Sequence, residues 1–222
     1  NYEKLIKDSV VEINRGENSK KIYDYIVDSD WKNLPGTLTE IKTIKNIYKD
    51  STIYSDKNVT EKNIKKLSAD GLLKKYKIIH FATHGLVVPD APELSALVLS
   101  LGKSLNDDED GYLQMREIAN LQINSDFVNL SACETGLGKI YGGEGVVGLT
   151  QSFLIAGSNG ISVSLWQVSD ESTMVFMSDL YNLLKNKNND YSHALSEIKR
   201  KFIKNKKYDA PFFWAPFVYY GK

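Results

Sequence analysis

Cysteine and long apolar runs are scarce in this sequence, and both absences narrow its class. Cys133 is the single cysteine among 222 residues. One thiol excludes an internal disulfide framework and suits a reducing compartment, so we expect a cytoplasmic protein. No run approaches the roughly 18 uninterrupted apolar residues of a membrane span, and no signal peptide is visible. A membrane partner is therefore not predicted. No cluster of His and Cys has metal-ligand spacing, so neither a zinc ion nor another cofactor is predicted.

The sequence also lacks an excess of charge of either sign. Lys and Arg number 28, as do Asp and Glu, so the formal net charge is zero. Nucleic-acid-binding domains usually carry a basic excess, so direct nucleic-acid binding is not expected. The glycine-rich stretch 136–148 lacks both the dinucleotide-binding spacing and the Lys-Ser/Thr ending of a phosphate-binding loop. Its composition therefore argues against a nucleotide-binding domain.

Apolar strands alternate with helical patterns along most of the chain, which predicts an α/β domain. Thr37 and Thr60 have the spacing of helix N-caps, and Thr52–Tyr54 has the composition of a short strand. Such alternation predicts a mostly parallel sheet that is covered by helices on both faces. We expect a single domain over 1–222, with 1–30 a poorly defined lead-in. Because the chain opens with Asn1 rather than Met, we expect the lead-in to continue from a missing sensor region.

Two apolar runs share one pattern: each ends in a reactive residue close to a glycine. Residues 78–85 read IIHFATHG, and residues 128–136 read VNLSACETG. An apolar run that ends at glycine is typical of a buried strand entering a loop. Sites in open α/β sheets form at the carboxyl ends of strands, so a possible base and the possible nucleophile Cys133 should meet there. His84 is the better partner because His80 lies inside the apolar run, where a buried structural role is expected.

The residue types alone leave this interpretation open. A lone cysteine on a strand is usually a small buried hydrophobic residue, and matched Cys and His patterns transfer poorly between families. A catalytic cysteine must ionise, and a nearby His or helix N-terminus would lower its pKa from about 8.5. Gly85 would let its N–H approach a substrate oxygen closely and, with the N–H of Cys133, form an oxyanion hole.

Three motifs in the correct order resemble those of CHAT domains, the caspase-like and separase-related peptidases of clan CD. They are HFATHG at 80–85, LSACETG at 130–136 and LWQVSD at 165–170. The resemblance extends over about residues 31–222. It implies a caspase-like three-layer α/β/α sandwich with a mostly parallel central sheet. It also implies that Cys133 is the nucleophile and His84 the catalytic histidine of a cysteine endopeptidase.

The same resemblance implies a mechanism and a substrate-binding edge. Cys133 would attack a peptide carbonyl and form an acyl-enzyme, with His84 protonating the leaving amine. The strand edge would bind substrate through Ser164, Trp166, Gln167 and Asp170, with Glu134 turned toward the site. Separases carry an acidic residue directly after the Trp and prefer Arg, so Gln167 puts an Arg or Lys preference in doubt. Simpler roles exist: Asp170 as a helix cap, Trp166 as a packing residue and Glu134 as an exposed loop carboxylate.

Members of this family are typically inactive until a sensor region responds, which is commonly a set of TPR repeats and sometimes belongs to a bacterial defence system. No TPR period is visible in the sequence, so the sensor is expected in a partner chain or a missing region. The expected partners are thus a protein substrate and a regulatory sensor, and the expected role is in defence or programmed cell death. The competing hypothesis is a catalytically silent caspase-like scaffold, which the intact pair of His84 and Cys133 argues against.

Overall fold

The computed structural model describes residues 31, 33–88, 91–100, 109–131, 133–134, 144–166, 168–186 and 190–221, and it describes the backbone alone at 133, 134, 144–146 and 170. The expected lead-in at 1–30, the glycine-rich stretch 136–143 and Gln167 therefore lie outside the described residues. The α-helices are α1 (Pro35–Ile47), α2 (Glu61–Ala69), α3 (Met115–Ala119), α4 (Glu144–Ile155), α5 (Asp170–Asn186), α6 (Tyr191–Ile203) and α7 (Pro211–Trp214).

The strands form a central sheet and a smaller one that continues from it. They are β1 (Ile78–Phe81), β2 (His84–Leu86), β3 (Ala96–Val98), β4 (Tyr112–Gln114), β5 (Phe127–Leu130), β6 (Cys133–Glu134), β7 (Gly160–Ser164) and β8 (Phe217–Gly221). The central sheet has the order β1-β5-β7-β8, in which β8 alone is antiparallel to its neighbour. The smaller sheet has the order β4-β3-β2-β6, with β2 and β6 parallel. The predicted mostly parallel central sheet is confirmed.

Helices cover both faces of the central sheet and complete the expected three layers. On one face α2, α3 and α4 contribute Ile64, Ile118 and Phe153 to a core that also contains Val128 of β5. On the other face α5 and α6 pack against Phe127, the preceding residue of β5, with α1 beside them. Consecutive strand residues point to opposite faces, so the apolar run of β5 is buried on both sides. The chain therefore has the α/β/α architecture of caspase-like proteins.

Local predictions hold in part. The predicted cap at Thr37 is wrong, because α1 begins at Pro35 with Leu34 as its N-cap, and the Thr37 hydroxyl donates to the Leu34 carbonyl instead. Thr60 caps α2 by accepting the Asn63 N–H on its hydroxyl, as predicted. The predicted strand at Thr52–Tyr54 is wrong, because residues 51–55 are irregular and the Tyr54 side chain is 43% exposed. A short β-prone run becomes a strand only when a neighbour pairs with it and covers one face, so its composition was insufficient evidence.

Candidate functional site

His84 and Cys133 lie side by side in the smaller sheet. β1 ends at Phe81 and the chain resumes as β2 at His84, while β5 ends at Leu130 and resumes as β6 at Cys133. In the parallel pairing of β2 with β6, His84 and Cys133 are Cα partners. Neighbouring strands are about 4.8 Å apart, so the fold brings the two predicted residues together at the backbone level.

Gly85 and Glu134 are the next pair of partners along the same two strands. Gly85 is buried between β3 and β6, opposite Leu97 on one side and Glu134 on the other. The backbones that were predicted to supply the oxyanion hole are thus adjacent. The side chain of Glu134 lies outside the described part of the structure, so the register alone locates it.

The imidazole of His84 is half-buried and contacts an aromatic side chain that the sequence analysis did not single out. The ring centroids of Trp31 and His84 are 5.1 Å apart, at an interplanar angle of 41°. Trp31 in turn donates its indole N–H to the hydroxyl of Tyr112 on β4 at 2.8 Å. A tryptophan anchored at its nitrogen restricts the rotation of the histidine beside it. The distance of Trp31 from the motifs along the chain left no local signal for this contact.

A cleft opens beside His84 and follows the outer edge of β1. Its volume is about 1060 Å³, and it is bounded by α1, by the irregular segment 48–55 and by β1. Trp31, Thr83, His84 and Tyr191 are among the residues that line it. Since β1 is an edge strand of the central sheet, the cleft gives access to the site along the sheet edge.

Two of the predicted substrate-binding residues at the end of β7, Ser164 and Trp166, have structural partners. Ser164 is buried and donates its hydroxyl to the Trp166 carbonyl at 2.7 Å, which holds the bend at the end of β7. Trp166 donates its indole N–H to the Phe212 carbonyl at 3.1 Å. Its ring packs partly against the apolar core that α5 and α6 form on one face of the central sheet. Asp170 is the first residue of α5, and its side chain is not described.

His80 has a side chain that is 9% exposed and lies at the centre of a polar cluster. Its Nδ1 lies 2.9 Å from the Tyr181 hydroxyl and 3.0 Å from the Asn129 amide nitrogen. Its Nε2 lies 3.0 Å from a carboxylate oxygen of Glu40. That oxygen lies off the direction of the ring N–H, so this contact is an electrostatic pairing rather than an aligned hydrogen bond.

Neither a metal-ligand cluster nor a helix of membrane-spanning character occurs among the described residues. Among the residues whose side chains are described, no three His, Cys, Asp or Glu side chains gather as metal ligands would. No helix in the described ranges combines the length and the apolar character that crossing a membrane requires.

Comparison with known proteins places this geometry in a family context. The family model described as CHAT domain matches residues 23–222. Human tetratricopeptide repeat protein 28 is 28% identical to this chain over 140 residues. Those residues are 63% of this chain, whereas the matched region is 5% of the human protein.

Proposed function

The chain belongs to the CHAT domain family, and on that premise we propose that it is a cysteine endopeptidase with Cys133 as nucleophile and His84 as its acid-base partner. The observation that supports this most strongly is the register of β2 and β6, in which these two residues are Cα partners. Nucleophile and base must be able to approach each other, and in-register positions on adjacent parallel strands carry side chains on the same face of the sheet, which supports the pairing.

The proposed reaction proceeds through an acyl-enzyme. The Cys133 thiolate forms a bond to the carbonyl carbon of the substrate, and the displaced electron pair moves onto the carbonyl oxygen. The N–H groups of Gly85 and Cys133 stabilise that oxyanion. The C–N bond then breaks as the His84 imidazolium gives a proton to the departing amine. Neutral His84 next removes a proton from water, which attacks the thioester and releases the acid and the thiolate.

Substrate selection is assigned to the segment that follows β7. Ser164 and Trp166 hold the bend, and Gln167 and Asp170 would face the substrate residue before the cleaved bond, with Glu134 on the opposite strand. A neutral residue at 167 removes the negative charge with which separases select arginine. A peptide library that varies this substrate residue reads the preference, and Gln167→Glu should increase cleavage after Arg and Lys.

We assign activation to a sensor, either a TPR-like region or a partner chain. The similarity to a human tetratricopeptide repeat protein supports this choice. The single-domain organisation over 1–222, with 1–30 leading in from the sensor, belongs to this proposal. A cytoplasmic location and a role in bacterial defence or programmed cell death belong to it too.

Because Cys133 is the sole cysteine, a thiol-reactive probe reports on the proposed nucleophile alone. We expect the wild-type chain to be labelled faster than a free model thiol at pH 6, and His84→Ala to lose about tenfold of that rate, as a one-unit rise in thiol pKa would cause. The matched control is His193→Ala, since His193 is 58% exposed on α6.

Peptide cleavage completes the test. Cys133→Ala should abolish cleavage in the library, and His84→Ala should reduce it to near background. Full cleavage by Cys133→Ala would contradict the proposal. Labelling that is equally slow in the wild type, His84→Ala and a model thiol, with the candidate activator present, would favour the silent scaffold instead.

A further inference from the structure

The polar cluster around His80 contains a second pair of Cα partners, on the strands that precede β2 and β6 in the chain. His80 on β1 and Asn129 on β5 are Cα partners, just as His84 and Cys133 are on β2 and β6. Each residue of the first pair precedes its counterpart in the second by four positions. The two pairs therefore share one offset along the chain, and β2 pairs with β6 in the same register in which β1 pairs with β5.

The hydrogen bonds of the cluster assign one protonation state to His80. The amide nitrogen of Asn129 is a donor, and burial raises the pKa of Tyr181 well above its usual value of 10, with the charge of Glu40 adding to the effect. The Tyr181 hydroxyl therefore keeps its proton, and because the Asn129 nitrogen can only donate, Nδ1 of His80 is the acceptor and its single lone pair is shared between the two donors. The ring proton then resides on Nε2, which faces the carboxylate of Glu40.

The depth of these groups makes their pairing selective. Asn129 is fully buried, and Tyr181 and Glu40 are 1% and 4% exposed. A buried polar group that loses its partner costs about 1–3 kcal/mol, because no water replaces the lost bond. Sliding β1 against β5 by one residue would separate His80 from Asn129 and turn the side chains to the opposite face. The pair thus penalises every register except the one observed.

We propose that the His80–Asn129 pair, held by Glu40 and Tyr181, is a register lock that positions His84 against Cys133; its catalytic consequence rests on the proposed function. The residues that hold His80 come from helices. Glu40 lies on α1 and Tyr181 on α5, and Asn129 also contacts the Met177 sulfur on α5 at 3.3 Å. The lock therefore joins two helices of one layer to both strands that lead into the site.

Disulfide trapping tests the register without requiring catalysis. His84→Cys places a second thiol opposite Cys133, and Cα atoms about 4.4–6.8 Å apart can form a disulfide on mild oxidation. We expect crosslinking in this background and little in Ala82→Cys, which lies two residues out of register. Adding His80→Leu with Asn129→Leu should reduce crosslinking several-fold. Adding Ser162→Ala should not, although Ser162 is the buried partner of Asn129 on β7.

The second measurement is the stability and the peptide-cleavage kinetics of the chain with His84 and Cys133 intact. Replacing both members of a buried polar pair by apolar residues is often nearly neutral for stability. In the double leucine variant, however, the buried Tyr181 hydroxyl and Glu40 carboxylate also lose their partner, so its unfolding midpoint should fall, while in the folded variant kcat falls several-fold and KM stays near the wild-type value. If it does not fold, Asn129→Leu alone retains the Tyr181 bond to His80 and should show smaller losses in the same direction. Unchanged crosslinking and kcat in a folded variant would overturn the proposal. If crosslinking depends on His80 and Asn129 but the chain cleaves no peptide, the register lock would be supported and the proposed peptidase activity would be rejected.

Discussion

Replacing Glu61 with glutamine should change how the stability of this protein depends on pH. Glu61 lies in the first turn of α2, is 2% exposed, and accepts the Gly111 N–H at 2.6 Å. Lys65 lies 3.2 Å from Glu61 and 2.5 Å from Glu117, so two carboxylates share one ammonium group. Burial is the largest effect on Glu61 and, with the charge of Glu117 adding to it, raises the pKa to about 7.

The sign and size of the effect follow from that value. Between the ordinary pKa of 4.5 and about 7, the folded chain holds a proton on Glu61 that the unfolded chain releases. The stabilisation is therefore fully present below pH 4.5 and is lost as the pH rises to about 7. One pKa unit corresponds to about 1.4 kcal/mol, so the contribution is at most on the order of 3 kcal/mol. Since Glu61 and Glu117 titrate as a pair around Lys65, we expect about 1–3 kcal/mol.

Urea unfolding at several pH values between 5 and 8 measures this contribution. As the pH falls from 8 to 5, the free energy of unfolding of the wild type should rise relative to that of Glu61→Gln. Glu171→Gln is the matched control, because Glu171 pairs with Lys207 on the surface and its pKa is lowered rather than raised. That variant should run parallel to the wild type in this range. A Glu61→Gln curve parallel to the wild type would refute the reasoning.

Three further predictions concern the site and the core. Trp31→Ala removes the ring that contacts His84, so steady-state kinetics on a peptide substrate should show a several-fold loss in kcat with little change in KM. Trp31→Phe should recover part of that loss. Equal kcat values in the wild type and both variants would contradict the positioning role of Trp31. Phe176→Ala should lower the free energy of unfolding by about 3–5 kcal/mol, because Phe176 is fully buried. Phe212 is 52% exposed, so Phe212→Ala should change that free energy by under about 0.5 kcal/mol. Similar losses for both variants would refute the assignment of the core. Thr60→Ala should lower the free energy of unfolding measured in urea by about 1 kcal/mol, because it removes the side-chain acceptor of the Asn63 N–H. Thr60→Ser should retain most of the stability. An alanine variant as stable as the wild type would show that the cap contributes nothing.

The amino-acid sequence determined the features whose physical causes are local. The cap at Thr60 depends on residues three apart, and β1 and β5 form from short apolar runs. The motifs that contain His84 and Cys133 are contiguous in the chain, so they pointed to the CHAT family before any fold was known. The buried role of His80 also followed from its apolar neighbours.

The tertiary structure decided everything that depends on partners distant in the chain. The register that makes His84 and Cys133 Cα partners arises from pairing between segments that β3, β4, α3 and β5 separate in the chain. Trp31 meets His84, and Tyr181 meets His80, across still longer separations. Composition also failed at Thr52–Tyr54, because strand formation requires a neighbouring strand. Local patterns show which residues can do chemistry, but only the packing of distant segments brings them together, since contacts between such segments have no counterpart in any short stretch of sequence.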